Sequence, residues 1–371
     1  MGIYQWPNGR RASAIASCGL AAIALVAGCK DKAIEPKPAV DYPVYFASES
    51  GSSPKLFVFH PSTFTVDSIA STWGTTGLVT VSADGRRLYL NPGNKVIVVD
   101  ANSLTLITEL PYRSSLPVAV SPDNRLVAIT GNDLTILRTT DYSVVLSDTN
   151  TTGYGRFSRD SKAFYCTVGW SGGGWAEVYR VDLSDSNHVV TRKAFPDGVV
   201  IHAVESLDET KWFLYLGVAT DMSAFEVYDV GRDSIILRKY LSPGTGDLAE
   251  TPDGRYVFFT NAGYGSTSSV TPQYGFTIFD VESNRVLKEV IDTLFFSSDT
   301  LYRLPSPPHY LAVSPDGRWL VLLSSLMSRQ YIYLYDISND QLVHRWMGYP
   351  RSYWNISTQP LYQTTSNWRS R

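Results

Sequence analysis

Pro117-Val118-Ala119-Val120-Ser121-Pro122-Asp123-Asn124-Arg125-Leu126-Val127-Ala128-Ile129 decides the fold. Two short apolar runs flank a tetrad in which each residue has a local job. Proline sets φ for the first turn position, aspartate bonds its own backbone, and asparagine tolerates positive φ, so the stretch reads as strand, hairpin corner, strand. The corner recurs as Ser82-Ala83-Asp84-Gly85, Ser158-Arg159-Asp160-Ser161, Ser206-Leu207-Asp208-Glu209, Thr251-Pro252-Asp253-Gly254 and Ser314-Pro315-Asp316-Gly317. The six aspartates stand 39, 37, 48, 45 and 63 residues apart. That period belongs to an array of supersecondary units, with insertions in the later repeats.

Each unit continues in the same order. A third strand commonly ends in aspartate, as in Val99-Asp100, Val181-Asp182, Tyr228-Asp229, Phe279-Asp280 and Tyr335-Asp336, and a fourth follows, as in Ser143-Val144-Val145-Leu146. No helical periodicity interrupts them. Four antiparallel strands per repeat make a propeller blade. Repeats begin near Gly77, Leu116, Gly153, Ile201, Gly246 and His309. Ahead of them, Val44–Ala47, Lys55–Phe59 and Thr65–Ile69 supply only three strands of a blade, and Tyr353–Thr358 is a spare strand after the last repeat. The expectation is an all-β, seven-bladed β-propeller over residues 44–360, its first blade completed by the C-terminal strand, with a tail at 361–371. A pair of β-sandwiches would leave the repeated corner unexplained.

Composition agrees and excludes some partners. Of 371 residues 44% are hydrophobic and 18% charged, which is ample for a core. Lys plus Arg number 32 against 35 Asp plus Glu, with no long basic run, so nucleic acid is not an expected partner.

The amino terminus has a different character. Arg10 and Arg11 precede an uncharged stretch from Ala12 to Val26, the charged and apolar regions of an export signal. The apolar run is shorter than the roughly 20 residues that span a bilayer. It ends in Leu25-Val26-Ala27-Gly28-Cys29, which resembles the lipobox of bacterial lipoproteins. The resemblance implies cleavage of residues 1–28 and a lipid on Cys29 that holds the chain to a membrane. Residues 29–43, with Pro36, Pro38 and Pro43, then read as a tether. Lys30 stands where some lipoproteins carry an inner-membrane retention Asp, so the resemblance implies the outer membrane, facing the periplasm or the cell surface. Cys18 would leave with the signal, and Cys166, inside Ala163-Phe164-Tyr165-Cys166-Thr167-Val168, reads as a core thiol.

The Ser-Pro-Asp-Gly corners and aspartate-ended third strands resemble the YVTN and WD-type repeats of bacterial propellers, including the lactonase-like and quinoprotein-dehydrogenase-like superfamilies. That resemblance covers about residues 42–360 and implies the fold; such propellers host enzymes, scaffolds and ligand binders alike.

Chemistry is sparse in the sequence. Gly169-Trp170-Ser171-Gly172-Gly173 has the letters of a nucleophile elbow, but Gly174–Tyr179 leads into a strand where the elbow needs a helix. No phosphate loop, zinc spacing or calcium loop occurs, and His60, His188, His202, His309 and His344 are scattered. No catalytic residue, metal ligand or cofactor is therefore assigned.

Strand parity narrows where a ligand would sit. The long loops 168–176, 261–275 and 292–308 share the face opposite the Pro-Asp corners, and they carry Trp170, Trp175, Tyr264, Tyr274, Phe295, Phe296 and Tyr302. Four positions before each corner Ser or Thr stand Leu78, Pro117, Tyr154, His202, Asp247 and Tyr310; one position before stand Val81, Val120, Phe157, Glu205, Glu250 and Val313. Tyr154, His202, Asp247 and Tyr310 are expected to ring the loop-side channel mouth, and Glu205 and Glu250 to form a carboxylate pair or a cation site. Trp170, Trp175 and Tyr264 join those four as candidate ligand contacts. The reading is a lipid-anchored envelope module that binds a protein, peptide or glycan, with a lactonase-like or dehydrogenase-like enzyme at the channel mouth as the alternative.

Overall fold

The computed structural model describes residues 43–48, 55–70, 78–114, 116–131, 133–149, 153–169, 176–185, 187–195, 199–219, 222–241, 246–262, 274–291, 308–326, 329–348 and 354–355. These form seven four-stranded antiparallel sheets, a seven-bladed β-propeller. The innermost strands of blades 2 to 7 are Leu78–Val81, Ala119–Val120, Gly155–Phe157, Val199–Glu205, Leu248–Glu250 and Pro308–Val313. Blade 1 takes its innermost strand from the other end of the chain. Trp354–Asn355 pairs with Val44–Ser48, Ala47 opposite Asn355 and Ser48 opposite Trp354, as the strand arithmetic requires.

The corners explain why the sequence repeats as it does. In all six, the Ser or Thr hydroxyl donates to the Asp carboxylate two residues on, at 2.5–2.7 Å. The same hydroxyl oxygen accepts a backbone N–H five residues on, at 2.8–3.0 Å. One side chain thus closes the corner and registers the next strand. The fourth corner residue is left-handed in every repeat: Gly85, Asn124, Ser161, Glu209, Gly254 and Gly317 have φ of 69°, 59°, 63°, 58°, 74° and 72°. The aspartates that end third strands cap the next turn, accepting backbone N–H groups of Ser103, Ser184, Arg232, Ser283 and Asn339 at 2.7–3.0 Å.

The core lies between blades. Among the described residues, buried apolar side chains group into seven clusters, one at each junction of neighbouring blades. Val44 and Phe59 of blade 1 pack on Val321, Leu323, Ile332 and Leu334 of blade 7, so burial as well as strand pairing closes the ring. A fully buried Phe or Leu here is worth about 1.5–3 kcal/mol relative to exposure. Cys166 is buried among these side chains, and burial pushes its thiol up to about 12, the behaviour of an inert core thiol.

The corners also bond to one another around the channel. Asp84 N donates to Asn124 Oδ1 at 3.2 Å and Asp123 N to Ser161 Oγ at 3.1 Å, linking blades 2, 3 and 4. From blade 4, Arg159 reaches past blade 5 to blade 6, bonding Pro252 O at 3.1 Å and Glu250 Oε2 at 2.9 Å.

Candidate functional site

Three of the residues expected at the channel mouth meet there. Tyr154 and Asp247 immediately precede the innermost strands of blades 4 and 6, and His202 lies within that of blade 5, beside second strands that run out toward the long loops. Tyr154 O accepts Thr167 N at 2.8 Å, and Asp247 O accepts Thr260 N at 3.0 Å. The rings of Tyr154 and His202 lie 4.6 Å apart at 41°, and His202 Nδ1 is 3.8 Å from Asp247 Oδ1. Asp247 in turn accepts the Leu311 N–H of blade 7 at 3.2 Å, so ring and polar contacts together run across four consecutive blades.

Their electrostatics separate the roles. Asp247 is 2% exposed, and its second bond, from Leu248 N at 2.9 Å, joins the Leu311 bond in occupying both carboxylate oxygens. It acts as a clamp between blades 6 and 7. Burial pushes His202 down to about 4, so the ring is neutral at neutral pH. Burial also pushes the Tyr154 phenol up, with help from the Asp247 charge, and Tyr154 remains 37% exposed. A neutral imidazole beside an accessible phenol offers hydrogen bonds and ring faces, and no net charge. Cys29, Trp170, Trp175 and Tyr264 lie outside the described residues, as do Phe295, Phe296 and Tyr302. Tyr310 falls in the strand Pro308–Val313, with only its backbone described.

At the corner end the two glutamates do not pair. Position −1 points into the junction with the preceding blade, so Glu205 faces blade 4 and Glu250 faces blade 5, with blade 5 between them. Tyr165 of blade 4 donates its hydroxyl to Glu205 Oε1 at 2.6 Å. Glu250, wholly buried, is held by Arg159 and by Leu207 N at 3.2 Å. Burial raises Glu250, and the guanidinium groups of Arg159 and Arg156 oppose that rise. Arg159 is the residue that sequence reading passed over. Its one local signal is an arginine where other corners carry Pro, Ala or Leu.

Among the described residues no group of three or more His, Cys, Asp or Glu side chains is placed to hold a metal ion.

No protein-family model and no curated protein matches the chain. Solved structures do. The periplasmic gluconolactonase of Pseudomonas aeruginosa superposes with a TM-score of 0.59 at 16% identity, over 85% of this chain and 99% of that one. A putative 6-phosphogluconolactonase of Bacteroides fragilis gives 0.57 at 15% identity, over 83% and 94%. A dihydro-heme d1 dehydrogenase gives 0.53 at 17% identity, over 84% and 74%. The likeness is one of fold. At these identities, shared architecture does not carry activity from one propeller to another.

Proposed function

We propose that the chain is an exported, lipid-anchored propeller whose long-loop face binds a protein, peptide or glycan. The carrying observation is the meeting of Tyr154, His202 and Asp247 on three consecutive blades at that end of the channel. It favours binding over proton transfer. A general base works best with a pKa near the operating pH, whereas His202 is held at about 4 and both Asp247 oxygens already accept backbone N–H groups. The anchor rests on Leu25-Val26-Ala27-Gly28-Cys29.

The two halves of the proposal are tested separately. Cys29→Ala should leave unprocessed precursor, and mass spectrometry of the wild type should find a diacylglyceryl-modified cysteine; an unmodified mature Cys29 overturns the anchor. For binding, the Cys29→Ser chain without its signal is titrated against a defined glycan and peptide panel, and assayed for hydrolysis of γ- and δ-lactones. A Trp170→Ala/Trp175→Ala pair should weaken a captured ligand by about 2 kcal/mol or more, because interface hot spots are enriched in Trp. Lactone hydrolysis lost on His202→Gln would make the enzyme reading the correct one. Binding lost by changes at the corners while the double tryptophan variant binds normally would place the ligand on the opposite face.

A further inference from the structure

The six repeats provide an internal baseline, and blade 5 departs from it three times in one place. At position −1 it has Glu205 where four other repeats have Val81, Val120, Phe157 and Val313. At the left-handed corner position it has Glu209, φ 58°, where the others have glycine, asparagine or serine. Holding a residue with a long side chain there costs on the order of 1 kcal/mol. Six residues after the corner serine it has Trp212, partly exposed, where Leu88, Val127, Phe164, Val257 and Leu320 are fully buried.

The three departures converge on one cleft. Glu205 and Trp212 are direct cross-strand partners and so share a face of the sheet. With Tyr165, Arg156 and Glu209 they line a recess between blades 4 and 5 at the corner end, about 470 Å³ including solvent at its mouth. The Tyr165 and Trp212 rings stand edge to face, 5.7 Å apart at 75°. Of the arginines, Arg159 is committed to Glu250 and Pro252 O, and Arg156 divides its field between Glu250 and Glu205. Burial holds Glu205 above the ordinary carboxylate range against hydrogen bonds from Tyr165 and Trp212; the Glu209 charge adds to the rise and the Arg156 charge opposes it. Within blade 4, Arg180 stands directly cross-strand from Tyr165. With Arg180 paired to Asp182, the three carboxylates Glu205, Glu209 and Glu250 face two guanidinium groups, Arg156 and Arg159, so the recess keeps a net negative charge. Two carboxylates beside two aromatic rings suit an organic cation, since ring faces attract cations and give a metal ion no lone pair.

We propose that this cleft binds an alkylammonium group, carried by a small amine or by a partner's lysine side chain, with Glu205 and Glu209 holding the charge and Trp212 and Tyr165 flanking the methylenes. The site is separate from the loop-side mouth and stands or falls without it.

Calorimetric titration of the processed full-length protein in detergent tests it, with cadaverine, Nα-acetyllysine methylamide and the uncharged Nα-acetylnorleucine methylamide as probes. At least one amine should bind at pH 8 while the norleucine compound does not. A response to both amines identifies a small-amine site, and a response to the lysine compound alone identifies a partner's side chain. Affinity should fall as pH drops through the raised titration of Glu205, a readout on the unaltered protein. Glu205→Gln, which keeps an acceptor for Tyr165, should weaken binding at least tenfold at unchanged melting temperature, and Glu209→Gln a few-fold. Equal binding of the norleucine compound, no binding of either amine at millimolar concentration, or binding indifferent to both pH and Glu205→Gln would overturn the proposal.

Discussion

Arg159→Met isolates what the strap across the corner end contributes. The Glu250 side chain is 0% exposed while that of Arg159 keeps 30%. Removing one member of such a pair leaves the other charge buried, a loss of about 3–5 kcal/mol when nothing relieves it. Protonation relieves it. Keeping a carboxyl of ordinary pKa 4.5 protonated at pH 7 costs about 3.4 kcal/mol, so the charge component at pH 7 cannot much exceed that. At pH 4.5 the same component falls below about 1 kcal/mol, because the unfolded chain is already half protonated there. The bond to Pro252 O adds about 1 kcal/mol at either pH. Urea unfolding followed by tryptophan fluorescence should therefore show a loss of about 3–4 kcal/mol at pH 7 and about 1–2 at pH 4.5. Pairing the substitution with Glu250→Leu should restore much of the loss at pH 7, since the buried charge is gone. Equal losses at both pH values, or a double variant no more stable than the single one at pH 7, would refute the reasoning.

Three other outcomes follow from the same structure. His202 titrates near 4 in the folded chain and near 6.5 when unfolded, so the unfolded chain takes up the proton first and stability should fall between about pH 6.5 and 4, by up to about 3 kcal/mol; denaturation of His202→Gln across that window should show a flatter profile, and parallel profiles would contradict the assignment. Truncation after Pro350 removes Trp354–Asn355 from blade 1, and calorimetry should record a fall in Tm of at least about 5 °C; an unchanged Tm would mean the closing strand is dispensable. Glu209→Gly should raise stability by up to about 1 kcal/mol by relieving the left-handed backbone, while abolishing the contribution of Glu209 to amine binding.

The architecture was legible because its determinants are local. Each corner closes through a hydroxyl, an aspartate and a left-handed residue within five positions, so Ser121, Asp123 and Asn124 announce the hairpin without reference to the rest of the chain. Ring closure followed from counting strands. The loop-side cluster is legible through alignment of repeats, which puts Tyr154, His202 and Asp247 at equivalent positions. Where contacts depend on which junction a side chain enters, sequence spacing misleads. Glu205 and Glu250 occupy equivalent positions in adjacent blades, and that equivalence is what separates them, since each points away from its own blade toward the one before it. The partner of Arg159 lies 91 residues away and two blades over, beyond the reach of any local pattern.

The polar departures are also unevenly placed. At positions −4 and −1, blades 2 and 3 carry Leu78, Pro117, Val81 and Val120, which is what a ring of packed junctions asks for when stability alone is at stake. Blades 4 to 6 instead carry Tyr154, His202 and Asp247 at one end of the channel and Arg159, Glu205, Glu209 and Glu250 at the other. Several of these weaken the fold: a histidine that stays neutral as the pH falls below about 6.5, a carboxylate buried with its arginine, a glutamate in a left-handed turn. Burial of an ion pair is seldom better than a packed apolar substitute, so the strap from Arg159 offsets the burial of Glu250 without explaining why a glutamate is there. Sequence-level rules that hold around a ring and fail in one sector mark that sector as the place where something other than stability was selected. Both proposed sites include the junction of blades 4 and 5, one at each end of it, and a ligand at either would act on a junction that the other shares.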